Sequence, residues 1–262
     1  MTDFDPARVE AALRAESIGV GLPLVFLRET ESTNDDAKKA AREGIAAGAA
    51  FVADVQTRGR GRRGHAWHSP AGENLYVSFV LRPGLPVAET PPLSLVAGLA
   101  VVDAASRFVP GERLRIKWPN DVYLDGRKLA GILVEGLVAG ERSSAVIVGI
   151  GVNVHTRAFP APIADIATSL ALASEAPLDR SEIFVALCAS LECRMREHLA
   201  HGVAHTVRAL AQLDYLAGKP VRIEGTEGVA QGIAPDGKLL VRTNAGETRS
   251  FIAGEATLGW IR

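Results

Sequence analysis

Apolar and polar positions along this chain change period from segment to segment. Residues 49–56, mostly apolar with Asp54 and Gln56 near the end, read as a buried strand. Residues 74–82 alternate well enough for a second strand. Leu114, Ile116 and Trp118 alternate with Arg113, Arg115 and Lys117, which predicts a half-buried strand. Residues 122–124 and 128–135 flank Asp125-Gly126, a strong hairpin-turn signal. A further strand is expected over 145–154. An Ala-rich helix opens at Ser32-Thr33-Asn34-Asp35 and runs to about Gly44, and Ser32 with Asp35 resembles a capping box. Apolar spacing predicts further helices near 93–108, 181–200 and 203–216. Residues 1–25 read as a short helix and linker, 83–92 as a Pro-rich loop, and 156–178 as a loop with little regular structure.

After Gly218-Lys219-Pro220 the texture changes. Short strands at 221–224, 228–233, 238–243, 247–252 and 257–261 alternate with Gly-containing turns, which predicts a small all-β barrel. The expected architecture is α+β: a mixed sheet flanked by helices over 1–217, then a barrel domain over 218–262.

Composition adds mainly exclusions. A chain of 262 residues, 47% hydrophobic and 23% charged, can bury a core without disulfides or metals. A formal net charge of -1 gives no global signal for a nucleic-acid coat or a membrane surface binder. No uninterrupted apolar run is long enough to span a bilayer, and the acidic start has no leader-like apolar stretch. Cys188 and Cys193 share one helix and point in different directions, so a reduced cytoplasmic protein is the simplest reading.

Candidate chemistry sits in five segments. Gly59-Arg60-Gly61-Arg62-Arg63-Gly64 satisfies a dinucleotide fingerprint, but Pro70 and Gly72 break any following helix and no acid stands at 81–88. A flexible loop with Arg58, Arg60, Arg62 and Arg63 can instead close over a phosphate or carboxylate. A solvated basic loop and a nucleic-acid contact stay open at this point. Trp118-Pro119-Asn120-Asp121 ends a strand, where turn chemistry and a polar site for a metal-bound triphosphate are both readable. Lys128 begins the second hairpin strand, the usual place for a solvated lysine. Gly131 inside that strand implies a close approach, and Gly149 and Gly151 mark either a bulge or backbone contact with a ligand. Ser32, Thr33 and Asn34 open a helix, whose N-terminus favours polar ligands. His198, His201 and His205 lack metal-ligand spacing.

The order of these strings is more specific than any one of them. STN opening a helix, then QTRGRGRRGHAWHSP, KWPNDVYLDGRKLAGILVE and GIGVNV, resembles the biotin protein ligases from about Glu31 to Val154. The resemblance implies a class II synthetase-like catalytic domain with a C-terminal SH3-like barrel. It implies that ATP activates biotin as an acyl-adenylate, which then passes to a lysine of a biotin carboxyl carrier protein or domain. It further implies that Ser32, Thr33, Asn34, Gln56, Arg60, Gly61, Arg62, Lys128 and Gly131 bind biotin. Arg60, Arg62, Trp67, Lys117, Asn120, Lys128 and Asn153 would bind the nucleotide, with Asn120 beside its Mg²⁺. Lys128, Arg62 and Asp121 would be catalytic, Asp121 by orienting or deprotonating the acceptor lysine. A lipoate or octanoate ligase is the rival within the same superfamily. His65 stands where many relatives carry Arg or Lys. No DNA-binding domain, no membrane association, and a monomer or homodimer are expected.

Overall fold

The computed structural model describes residues 3–258. Helix α1 (Pro6–Ala15) is capped by the Asp5 carboxylate, which accepts from the Ala7 and Arg8 amides. Strand β1 (Leu24–Thr30), helix α2 (Thr33–Arg42) and strand β2 (Ala50–Gln56) follow. They form a βαβ unit, so β1 and β2 are parallel. The sequence pattern predicted no strand at β1; its short apolar run Leu24–Leu27 is only half-buried at the sheet edge. The capping box is not formed, because the Ser32 side chain makes no cap hydrogen bond. Gln56 Oε1 instead takes the Thr33 amide at 3.0 Å.

Strand β3 (Leu75–Leu81) and helix α3 (Leu93–Ala105) precede two hairpins: β4 (Leu114–Lys117) with β5 (Asp121–Leu124), and β6 (Arg127–Ala139) with β7 (Arg142–Val152). The sheet order is β1-β2-β3-β7-β6-β5-β4, and every pair except β1–β2 is antiparallel. β3 is central and buried on both faces, which explains why its alternation is weak. The β6–β7 hairpin extends past the expected 135 and 145 through a mostly exposed tip, where the apolar stretch Gly136-Leu137-Val138-Ala139 does not alternate with polar residues.

A short helix α4 (Leu170–Ala173) lies in the expected loop, then α5 (Arg180–His201) and α6 (Val203–Leu210). Val87–Ala105 has the length and mean hydropathy of a membrane span, but Glu89, Pro91, Pro92 and Asp103 interrupt it, in keeping with the absence of an uninterrupted apolar run. Its helical core is explained by burial: every residue of α3 except Asp103 is inside, in the core shared with α5 and one face of the sheet.

The C-terminal part is a five-stranded antiparallel sheet of β8 (Pro220–Ile223), β9 (Thr226–Ile233), β10 (Leu239–Thr243), β11 (Thr248–Phe251) and β12 (Thr257–Leu258). Its order is β11-β10-β9-β8-β12, so among the described residues it is open and no barrel closes. The end of the expected 257–261 strand lies outside those residues.

The sheet face under α2 positions the site. Along β7, Ala145 and Ile147 join Ala37, Ala41, Phe51 and Val80 in a small core beneath that helix. The next two residues on the same face are Gly149 and Gly151. Packing therefore stops where the glycines begin, and a hollow opens on the sheet.

Candidate active site

The hollow is a cavity of about 420 Å³. All the residues singled out as biotin-, nucleotide- or metal-contacting line it, from Ser32 in the first helical turn to Asn153 at the end of β7. Four chain segments supply them, and each has a local reason for its shape.

The first is the turn into α2. The Thr33 hydroxyl lies 3.2 Å from Gln56 Oε1, and Gln56 Nε2 donates to Ser69 Oγ at 3.1 Å. The Ser78 hydroxyl donates to Asn34 Oδ1 at 2.5 Å and lies 2.8 Å from Thr33 Oγ1. Asn34 Nδ2 donates to Glu135 Oε2 at 2.7 Å. A Cβ at Gly149 would sit 2.1 Å from Asn34 Oδ1, so only glycine lets this amide lie against the strand.

The second is the glycine-arginine segment, which folds as a small hairpin. Gly61 N donates to His65 O at 2.7 Å and Trp67 N to Gly59 O at 2.8 Å. Its tip places Arg63 and Gly64 at positive φ, so no helix follows, as the Rossmann exclusion requires. The arginines part company here. Arg58 pairs with Glu31, Arg60 with Asp35 and Arg63 with Glu224. Arg62 alone of the four forms no ion pair among the described residues, donating instead to Asn120 Oδ1 at 3.2 Å and to Gly254 O at 3.3 Å. Burial, and then the neighbouring Arg63, push its guanidinium below its ordinary value, yet an arginine stays charged. Gly59, which sequence reasoning passed over, is the tightest glycine of the loop: a Cβ there would meet Ser69 Oγ at 2.6 Å.

The third segment is the β5–β6 hairpin. Asp125 and Gly126 both have positive φ, the geometry of the expected tight turn. A bulge follows: Tyr123 pairs with Lys128 and Val122 with Ala130, leaving Leu129 extra. The added residue turns Lys128 onto the same face as Gly131, and Lys128 Nζ lies 2.8 Å from Asp121 Oδ1. Trp67 covers this corner, with Lys128 Nζ 5.4 Å from its ring. A Cβ at Gly131 would meet that ring at 2.9 Å, and one at Gly151 at 2.5 Å. The close approach expected at Gly131 is thus to Trp67. The indole N–H is buried with no partner.

The fourth is the far wall. Asn120 Nδ2 donates to Ile132 O, and Asn153 Nδ2 to Thr168 O. Lys117 Nζ lies 5.5 Å from the Tyr123 ring, and burial pushes the Tyr123 hydroxyl up to about 12. Residues 163–168 clamp Lys128 through backbone hydrogen bonds to its N–H and C=O. Gly254 to Leu258 of the C-terminal sheet complete the wall, which no sequence signal indicated. His198 is elsewhere, buried with Nδ1 2.9 Å from Thr206 Oγ1.

Fold and cavity together define a class. Residues 26–153 match the biotin/lipoate A/B protein ligase family, and residues 217–259 match the biotin protein ligase C-terminal domain. The chain belongs to the biotin protein ligase family. The Paracoccus denitrificans biotin–[acetyl-CoA-carboxylase] ligase is 38% identical, covering 84% of this chain and 95% of its own. The bifunctional ligase/repressor BirA of Bacillus subtilis is 36% identical, covering 89% and 74%. Among solved structures, the Aquifex aeolicus biotin protein ligase in complex with biotin and ATP is similar at a TM-score of 0.76. It is 30% identical and covers 90% of this chain and 98% of that one.

Proposed function

We infer that this chain is a biotin–[acetyl-CoA-carboxylase] ligase. It activates biotin with ATP and transfers it to a carboxylase acceptor. The observation that carries this reading is the convergence of Arg62, Lys128 and Asp121 on one cavity in a chain of this family.

The residue roles follow from charge and reach. In the first step a biotin carboxylate oxygen bonds to the α-phosphorus of ATP, and the bond to the pyrophosphate oxygen breaks. Two anions must meet, so fixed cations lower the barrier by positioning and electrostatics. Lys128 and Arg62 are cations of the cavity wall and take that role. Lys128 exchanges Asp121 for the reacting oxygens. Ser32, Thr33, Asn34 and Gln56 present hydroxyls and amides to the ureido ring, and Arg60 and Gly61 close over it. Trp67, Lys117, Asn120 and Asn153 border the nucleotide. In the second step the acceptor lysine's amine bonds to the acyl carbon, AMP leaves, and the amine's proton passes to Asp121.

Among the described residues no group of three or more His, Cys, Asp or Glu could cage a metal. Mg²⁺ would enter with the triphosphate, and Asn120, whose neutral Oδ1 belongs to the cavity lining, is the residue that would hold it. Bound there, it would neutralise phosphate charge.

Residues 1–217 are read as the catalytic unit and 218–262 as an SH3-like appendage, supported by the separate five-stranded sheet that starts at Pro220 and by the family match over 217–259. A cytoplasmic location is supported by two unpaired thiols. The test is a mass measurement on an apo carrier domain after incubation with the protein, biotin, ATP and Mg²⁺. A gain of one biotinyl group is expected; no gain on several carriers, or a gain with lipoate instead, rejects the reading.

A further inference from the structure

Two side chains outside the cavity wall remain unused by this account: Glu135 on β6 and Lys38 on α2. We propose that Glu135, charged and held by Lys38, is a positioning residue that fixes the Asn34 amide in one orientation for recognising a cyclic urea. The inference rests on the biotin-ligase reading.

An asparagine amide has two faces related by a flip, one presenting N–H and the other C=O. A pocket that must offer a donor at one point has to forbid one of them. Asn34 is only 4% exposed and has two protein partners. Its Oδ1 accepts from Ser78, but a hydroxyl donates or accepts and would tolerate either face. The Glu135 carboxylate only accepts. It takes the Asn34 Nδ2–H at 2.7 Å, and a flipped amide would aim oxygen at oxygen. Glu135 is therefore the group that selects.

Selection requires the carboxylate to stay ionised. Burial alone would raise its pKa, but the hydrogen bonds from Lys38 and Asn34 outweigh that and hold it below its ordinary value. Lys38 Nζ is 2.5 Å from Glu135 Oε1, and it comes from the same face of α2 as Asn34, one turn on. Both clamps on Glu135 thus belong to the helix that carries Asn34. The Gly149 hollow supplies the space in which this amide lies.

Glu135→Gln keeps size, removes the charge and adds an N–H donor, so a flipped Asn34 amide is no longer forbidden. Calorimetry with biotin should show binding weakened about tenfold, as expected for losing a hydrogen bond to a charged group. The KM for ATP and kcat at saturating biotin should hold. Lys38→Met should weaken biotin binding less, and adding it to Glu135→Gln should cost little further, because Lys38 reaches the Asn34 amide through Glu135 and its other ion pair, with Asp35 at 3.8 Å, is the looser one. Wild-type biotin affinity in folded Glu135→Gln overturns the inference, as does a KM rise shared equally by ATP and biotin. Should Glu135→Gln not fold, unchanged biotin affinity in Lys38→Met overturns it instead. A wild-type protein that binds no biotin rejects the ligase reading itself, and that control is read first.

Discussion

Lys128 meets Asp121 because Leu129 is one residue too many for its strand. Without the bulge, the alternation of side chains would put Lys128 and Gly131 on opposite faces. Lys128→Ala removes the cation that we assign to both reacting anions. Biotinyl-AMP formation, followed by mass spectrometry, is expected to be lost while the melting temperature stays near wild type. Turnover within a few-fold of wild type would reject the role. Arg62→Gly removes the one arginine of its loop that no carboxylate among the described residues neutralises. Activated biotin should then escape, seen as biotin label on bystander lysines in solution; unchanged retention counts against the assignment. At Gly151 a methyl group would sit 2.5 Å from the Trp67 indole, so Gly151→Ala has to displace the ring. It should raise the KM for ATP and shift tryptophan emission, at an overpacking cost of roughly 1–3 kcal/mol. An unshifted spectrum with an unchanged KM would show that Trp67 does not sit where the chemistry needs it.

At the scale of elements, turn chemistry and glycine placement were legible, and long-range pairing was not. Asp125-Gly126 announced its hairpin, and Gly131 announced a close neighbour, because both are local demands on φ or on a missing Cβ. The Ser32 capping box failed because Gln56, on another strand, supplies the acceptor. The Asn34–Glu135 pair joins residues 101 apart, and nothing local in either segment marks it. β1 went unseen for the related reason that an edge strand keeps half its surface wet. The chain start shows the same long reach. Asp3 accepts from Arg180 Nε at 2.5 Å and lies 2.6 Å from His155 Nε2, tying the N-terminal segment to α5. Burial would raise the Asp3 carboxyl, but Arg180 and then His155 hold it below its ordinary 3.8. A lowered native value means this contribution is whole above pH 3.8 and is lost as pH falls through that lowered value. Melting temperature should therefore drop on acidification below about pH 4. Asp3→Asn should be less stable at neutral pH and show a shallower drop; parallel curves for the two proteins would refute the tie.

On the scale of the whole molecule, the C-terminal sheet is part of the site. Trp118, buried at the end of β4, donates its indole N–H to Gly237 O at 3.0 Å and so locks the Pro119-Asn120-Asp121 turn to that sheet. Gly254 O receives Arg62 from the other side. The texture change at 218 was readable from strand spacing, but its contribution to the cavity was not, since β12 and its approach carry no chemical motif. Trp118→Phe keeps the packing and strands the Gly237 carbonyl, a loss of about 1–3 kcal/mol. The melting temperature should fall and the adenylate should be held less well; a wild-type profile in both would detach the sheet from catalysis. The central claim is that one cavity joins biotin's carboxylate to the α-phosphate of ATP. Pyrophosphate release without any acceptor measures that join alone. A burst of one equivalent per active site is expected, needing biotin and vanishing in Lys128→Ala. Pyrophosphate release that is indifferent to biotin, or absent with it, would contradict the account.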